Sequence, residues 1–111
     1  METKINDIKK DMLSIRIDDP YASLGVCMYL DAKGYEVCGL HVFGELNAIS
    51  MLRRCHLNKW IDILPDIKMV VAESSDESRE FRENRKNKFY NQIFFDTPDD
   101  LFDYLGINET V

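Results

Sequence analysis

The sequence predicts an α/β fold, a three-layer α/β/α sandwich around a mostly parallel four-stranded sheet. Short runs of β-formers alternate along the chain with amphipathic segments of helical length. Three of those segments open on strong helix-start chemistry, at Asp19-Pro20, Ser74-Ser75-Asp76-Glu77 and Thr97-Pro98-Asp99-Asp100. The unbroken apolar run Met69-Val70-Val71-Ala72 suits a central strand covered on both faces. Helices between successive strands imply right-handed crossovers, which lay parallel strands side by side with helices above and below.

Ile5, Ile8 and Met12 stand at helical spacing and suggest a short leading helix. Met12 to Ile17 then alternates, with Leu13, Ile15 and Ile17 on one face and Ser14 and Arg16 on the other, as in a half-exposed strand. Asp19 caps a first helix that runs to about Lys33, where Gly34 takes the left-handed conformation that ends it. Tyr35 to Phe43 reads as the second strand, and Glu45 to His56 as the second helix, with Ala48, Ile49, Leu52 and Cys55 on one face. Continuing that helix would carry Lys59 into the apolar stripe. A break near Leu57-Asn58 follows, then a short turn returning Trp60, Ile63 and Leu64 to the core.

Pro65-Asp66 precedes the third strand, Ile67 to Ala72. The third helix runs from the Ser74-Ser75 cap to about Tyr90, anchored by Phe81 and Phe89. Gln92 to Phe95 forms the fourth strand, and Leu101, Phe102 and Leu105 bury the last helix, which Gly106 ends. Met12–Ile17 and Gln92–Phe95 are the strands expected at a sheet edge, where a second copy can pair, so the chain is read as a monomer or homodimer.

Length and composition fit one domain over residues 1–111: 45% of residues are hydrophobic and 31% charged. The net charge of −6 excludes a general nucleic-acid or membrane-surface binder, because phosphate contacts need clustered Lys and Arg, but it suits a basic protein partner. Cys27, Cys38 and Cys55 are odd in number and lack CxxC spacing, which argues against a disulfide framework or structural zinc and for a reducing cytoplasm. The first residues are polar and hold no apolar signal core, and the nearly uncharged stretch from Pro20 to Leu30 is too short to span a bilayer.

In a parallel sheet, ligands bind where the strands end. The four exits carry Asp18-Asp19, Gly44-Glu45, Glu73-Ser74-Ser75 and Asp96-Thr97, so each presents a carboxylate. Two chemistries suit that edge. Asp19, Ser74 and Thr97 stand where helix caps belong, and helix N-termini favour acids in any case. Alternatively, carboxylates among Asp18, Asp19, Glu45, Glu73 and Asp96 hold a magnesium ion, a hard cation that takes oxygen ligands. No cofactor is otherwise implied.

No nucleophile stands out. His41 lies within a strand, and His56 sits near a helix end where a cation is favoured. Cys55 and His56 point about 100° apart on a helix and do not pair. GxSxG, HExxH and Gly-rich phosphate loops are missing. Arg79, Arg82 and Lys86, with Arg85 and Lys88, interleave with Glu77, Glu80 and Glu83 and read as a solvated face, or as a contact for phosphate or an acidic partner.

Ile17-Asp18-Asp19-Pro20-Tyr21, then Gly34-Tyr35-Glu36-Val37, resembles the acidic pair, first helix and second strand of a response-regulator receiver domain, a flavodoxin-like fold. Phe95-Asp96-Thr97-Pro98-Asp99-Asp100-Leu101 is similar to that family's closing strand-to-helix turn, and Ser74 or Ser75 to its switch hydroxyl. The chain departs from the family in having four strand–helix units rather than five. Asp66, the nearest candidate phosphoacceptor, precedes a strand, and the Lys before the final Pro is replaced by Asp96-Thr97. The resemblance therefore implies a scaffold that has lost phosphotransfer. Ile67 to Ser75 and Ile93 to Gly106 also resemble the closing strand–helix pairs of STAS-type regulatory domains, which bind partner proteins. Both point to a non-catalytic regulatory or protein-interaction domain. An Mg-dependent phosphoacceptor or enzyme, and a small-molecule-binding module, remain as alternatives at the strand-end edge.

Overall fold

The computed structural model describes residues 10–73 and 90–108. Within them the chain runs β1 (Lys10–Arg16), α1 (Pro20–Ala32), β2 (Glu36–Val37), β3 (His41–Val42), β4 (Glu45–Leu46), α2 (Ala48–Leu57), β5 (Trp60–Leu64), β6 (Met69–Glu73), β7 (Tyr90–Phe95) and α3 (Pro98–Leu105). The leading helix expected over the first residues, and the third helix with its basic residues, fall outside the described residues.

The fold is α/β, but the sheet is mixed and five-stranded rather than mostly parallel and four-stranded. Its order is β2-β6-β5-β1-β7, with β3 and β4 forming a separate two-stranded ladder. β2 pairs parallel to β6 and β7 parallel to β1, whereas β5 runs antiparallel to both its neighbours, β1 and β6. The four strands expected from sequence therefore share one direction, and the correction is a reversed strand inserted among them. That strand is the segment read as a short turn. Its alternation, Ile61 and Ile63 against Trp60, Asp62 and Leu64, is the period of a strand. Ile67 and Lys68, expected to begin a strand, instead lie in the β5–β6 turn, where the Ile67 and Lys68 amides bond back to Leu64 O and Pro65 O.

β1 lies inside the sheet between β5 and β7, so it is not an edge; β7 is. The second strand is shorter than expected. Only Glu36–Val37 joins the main sheet, because Gly39 turns the chain at a positive φ of 89°. Glu45, expected to open a helix, belongs to β4, and Asn47 is the cap: its side chain accepts from the Ser50 amide at 3.0 Å. Asp19 and Thr97 cap α1 and α3 as their sequence predicts, each followed by a proline in the first turn. Gly106, at a φ of 71°, ends α3.

One face of the sheet makes the core. Leu13 and Ile15 of β1 stand opposite Ile63 and Ile61 of β5, and Val70 of β6 and Val37 of β2 continue the row. The inward residues of all three described helices join this cluster: Val26, Cys27 and Leu30 from α1, Met51 and Cys55 from α2, Leu101 and Phe102 from α3. The Tyr29 and Phe102 rings meet with centroids 4.5 Å apart, and the Tyr29 hydroxyl donates to Ile107 O at 2.8 Å, tying α1 to the end of α3. No described helix is long and apolar enough to cross a membrane.

The position of β5 has a measurable consequence. Ile63 is 0% exposed and Ile67 is 55% exposed. Urea unfolding of Ile63→Ala is expected to show a loss of about 2–5 kcal/mol, and that of Ile67→Ala a change within about 0.5 kcal/mol. Equal losses would contradict the strand at Trp60–Leu64.

Candidate functional site

Because β1, β6 and β7 share a direction, Asp18, Glu73 and Asp96 lie at one edge of the sheet: Arg16 pairs with Trp60, Trp60 with Glu73, and Ile15 with Phe95. The reversed β5 enters from the same edge, so Lys59 arrives beside the acids and its Nζ donates to Asp18 O at 3.1 Å. The Asp18 carboxylate accepts from the Arg16 guanidinium. Asp19 Oδ1 accepts from the Tyr21 amide at 3.2 Å, and Thr97 Oγ1 from the Asp100 amide at 3.2 Å. Asp19 and Thr97 thus act as caps, and Asp18 faces cations. Glu45 is displaced from this edge into the β3–β4 ladder, paired with Val42. Ser74 and Ser75 lie outside the described residues. Among the described residues no group of three His, Cys, Asp or Glu side chains comes together as a metal site.

The opposite edge holds a cleft of about 470 Å³ lined by Lys10, Asp11, Tyr35, Pro65, Asp66, Tyr104 and Leu105. Lys10 Nζ and Asp66 Oδ2 stand 3.6 Å apart, and the Tyr104 hydroxyl donates to Asp11 Oδ2 at 3.0 Å. That hydrogen bond is the main cause of a Tyr104 pKa above its ordinary value of 10.0. Burial likewise raises Tyr35. Asp66, considered as a phosphoacceptor on sequence grounds, lines this cleft at the end of β5.

A polar row that the sequence reading missed crosses the sheet face turned away from the core. Ser14 Oγ donates to Asp62 Oδ1 at 2.6 Å and accepts from Gln92 Nε2 at 3.1 Å, linking β5, β1 and β7. Ser14 and Asp62 are buried. A carboxylate withdrawn from water is tolerated only where such donors meet it. On the same face the Trp60 and Phe94 rings pack edge to face, 5.8 Å apart. The signal was present in the alternation of Trp60 to Leu64, which sets Asp62 opposite Ser14 once the segment is taken as a strand.

The β3–β4 hairpin projects the most conspicuous surface. Val42 and Glu45 flank a two-residue turn, Phe43-Gly44, with positive φ at both positions, 54° and 82°. Such turns favour Asn, Asp or Gly at the first position. Here that position is an aromatic whose side chain is 98% exposed. Val42, Leu46 and Ile49, which stand close to it in the chain, are exposed as well. The hairpin base is held firmly. His41 Nε2 lies 3.0 Å from Asp31 Oδ1 on α1, and the Asn47 amide donates to Leu40 O at 2.8 Å. The Arg54 guanidinium lies against the Gly39 backbone so closely that a Cβ there would fall 2.7 Å from it. The strand expected over Tyr35 to Phe43 and the helix expected from Glu45 give way here to a hairpin with Phe43 at its tip.

Tyr104 provides a pH test of the cleft geometry. Its raised pKa means the folded state prefers the neutral phenol. This contribution to stability is therefore complete below pH 10 and is lost as pH rises through the folded value. Ultraviolet titration is expected to show the Tyr104 step above 10.0, and Asp11→Asn is expected to bring it down. An unmoved step would break the assignment. Compared with known proteins, the chain matches no family model, no curated protein and no solved structure.

Proposed function

We propose that this chain is a non-catalytic regulatory or protein-interaction domain that docks a basic protein through the Phe43 tip of the β3–β4 hairpin. The observation that carries this reading is Phe43 itself. Left-handed backbone costs an ordinary L-residue roughly 1–2 kcal/mol. A 98% exposed ring recovers none of that by packing within the chain. Strain retained without local return is a mark of function, and exposed aromatics are the side chains that anchor interfaces. The net charge of −6 selects a partner whose apolar pocket is rimmed by Lys and Arg.

The reading agrees with the class of function implied by the receiver-like and STAS-like resemblances, and with a protein that meets its partner in the cytoplasm. It also accommodates the three-layer arrangement: Met12, Ser14 and Asp62 face away from the described helices yet are at most 2% exposed, which supports a further layer over that face. A second reading, a small-molecule-binding module, draws on the Tyr35–Tyr104 cleft, whose carboxylates and phenols suit a small polar ligand.

Phe43→Asn separates stability from binding. Asn tolerates left-handed backbone, so the variant is expected to melt no lower than wild type. The partner is first captured on immobilised chain and identified by mass spectrometry, and it should be a basic protein. Its calorimetric affinity is expected to fall about tenfold or more for Phe43→Asn. Undiminished affinity would overturn the hairpin as the docking element.

A further inference from the structure

The cleft between the start of β1 and the end of α3 draws on four parts of the chain. Lys10 and Asp11 open β1, Tyr35 follows α1, Pro65 and Asp66 lie in the β5–β6 turn, and Tyr104 and Leu105 close α3. Three of these parts are held in place. The Tyr35 amide donates to Leu30 O at 3.0 Å, the Lys68 amide donates to Pro65 O at 3.3 Å, and the Tyr104 ring packs edge to face on Phe95 with centroids 5.5 Å apart. The volume of about 470 Å³ is that of a small-molecule pocket.

Two polar groups of the cleft are incompletely used. Tyr35 is only 7% exposed, and its hydroxyl has no hydrogen-bond partner among the described residues. Among those residues Ser23 Oγ is the sealed side-chain atom that lacks a partner, so the Tyr35 hydroxyl is not closed inside the core and emerges at the cleft. A hydroxyl on so buried a side chain is costly to leave unpaired. Asp11 is the second group. Its Oδ2 accepts from the Tyr104 hydroxyl, a neutral donor that satisfies one oxygen without cancelling the charge. Lys10, the cation of the cleft, stands 3.6 Å from Asp66 instead. Two carboxylates against one ammonium leave the cleft with an excess negative charge at Asp11.

We propose that this cleft is a binding site for a small organic ammonium ion, with the Asp11 carboxylate as its counter-ion and the Tyr35 hydroxyl as a hydrogen-bond acceptor. An ammonium group carries several N–H donors, enough for both oxygens, and its hydrogen bond to a carboxylate is of the strong, charge-assisted kind. The two phenol rings add the attraction of aromatic rings for organic cations. Pro65 and Leu105 offer apolar contact to the carbon body of the ligand. A hard metal ion is poorly served, because among the described residues no three acidic, His or Cys side chains gather. The assignment deepens the small-molecule reading of this cleft, on which it rests, and is separate from the docking role of the hairpin.

The test is an NMR titration of the full chain with benzylammonium chloride at fixed ionic strength, run beside benzyl alcohol, its uncharged counterpart. Benzylammonium is expected to give saturable shifts at Asp11, Tyr35, Tyr104 and Leu105 with a Kd of about 1 mM or tighter, and benzyl alcohol to bind about tenfold more weakly or worse. Asp11→Asn keeps an acceptor for Tyr104 and is expected to weaken benzylammonium about tenfold, and Tyr35→Phe about threefold. Asp18→Asn removes the same charge from the opposite edge and should leave the affinity unchanged. Equal binding of the alcohol would overturn the ammonium assignment while leaving the cleft a small-molecule site. An equal loss in Asp18→Asn would overturn it as general attraction to an acidic protein. Shifts absent from the cleft with both probes would remove the assignment and the small-molecule reading together. The comparison of the two probes on the wild-type chain decides even where a variant fails to fold.

Discussion

The pairing of β1 with the reversed strand β5 governs the arrangement of the whole molecule. Leu13 and Ile15 meet Ile63 and Ile61 on the core face, while Ser14 meets Asp62 on the other. A slip of one residue would turn both isoleucines onto the polar row and drive the Asp62 carboxylate into the apolar cluster, so the register has only one acceptable value. The Ser14–Asp62 hydrogen bond fixes the same register from the polar side. Gln92 extends it to β7, so a single polar row holds three strands in step. Such a row adds little net stability but makes every alternative alignment expensive, since a half-satisfied buried carboxylate costs more than an apolar one.

From that frame the helices take their places. The direction of β1 sends α1 back across the core face, where Leu30 and Tyr35 close its end and α1 packs against α2. The short β2 and the turn at Gly39 then release the hairpin. Because its base is tied to α1 through His41 and Asp31, and to α2 through Arg54 and Asn47, the strained tip is displayed from a rigid support. Rigidity matters for the proposed docking role, because an anchor held in place loses little entropy on binding. The acidic edge contributes in a different way. Asp19 caps α1 and Asp18 meets Arg16, and the net negative charge suits the basic partner proposed above.

The parts legible in the sequence were those with local chemistry. Asp19-Pro20 and Thr97-Pro98 announce their helices because capping uses only neighbouring atoms, and Gly106 marks an end for the same reason. The apolar run at Met69 gave β6. What failed was non-local. Lys59 breaks a helical stripe and points to a turn over Trp60–Leu64, whereas the alternation of that segment is that of a strand. Whether neighbouring strands run with or against each other depends on long-range pairing, which no short window contains. The helix expected from Glu45 starts at Ala48, with Asn47 as its cap.

The reversed β5 is most directly tested by nuclear Overhauser contacts between backbone protons of β1 and β5. Antiparallel neighbours bring alternate Hα pairs into close contact across the ladder. The account predicts cross-strand Hα contacts confined to the in-register pairs among Leu13/Ile63, Ser14/Asp62 and Ile15/Ile61. Contacts shifted by one residue, or residues 60–64 showing turn-like contacts with none to β1, would contradict it.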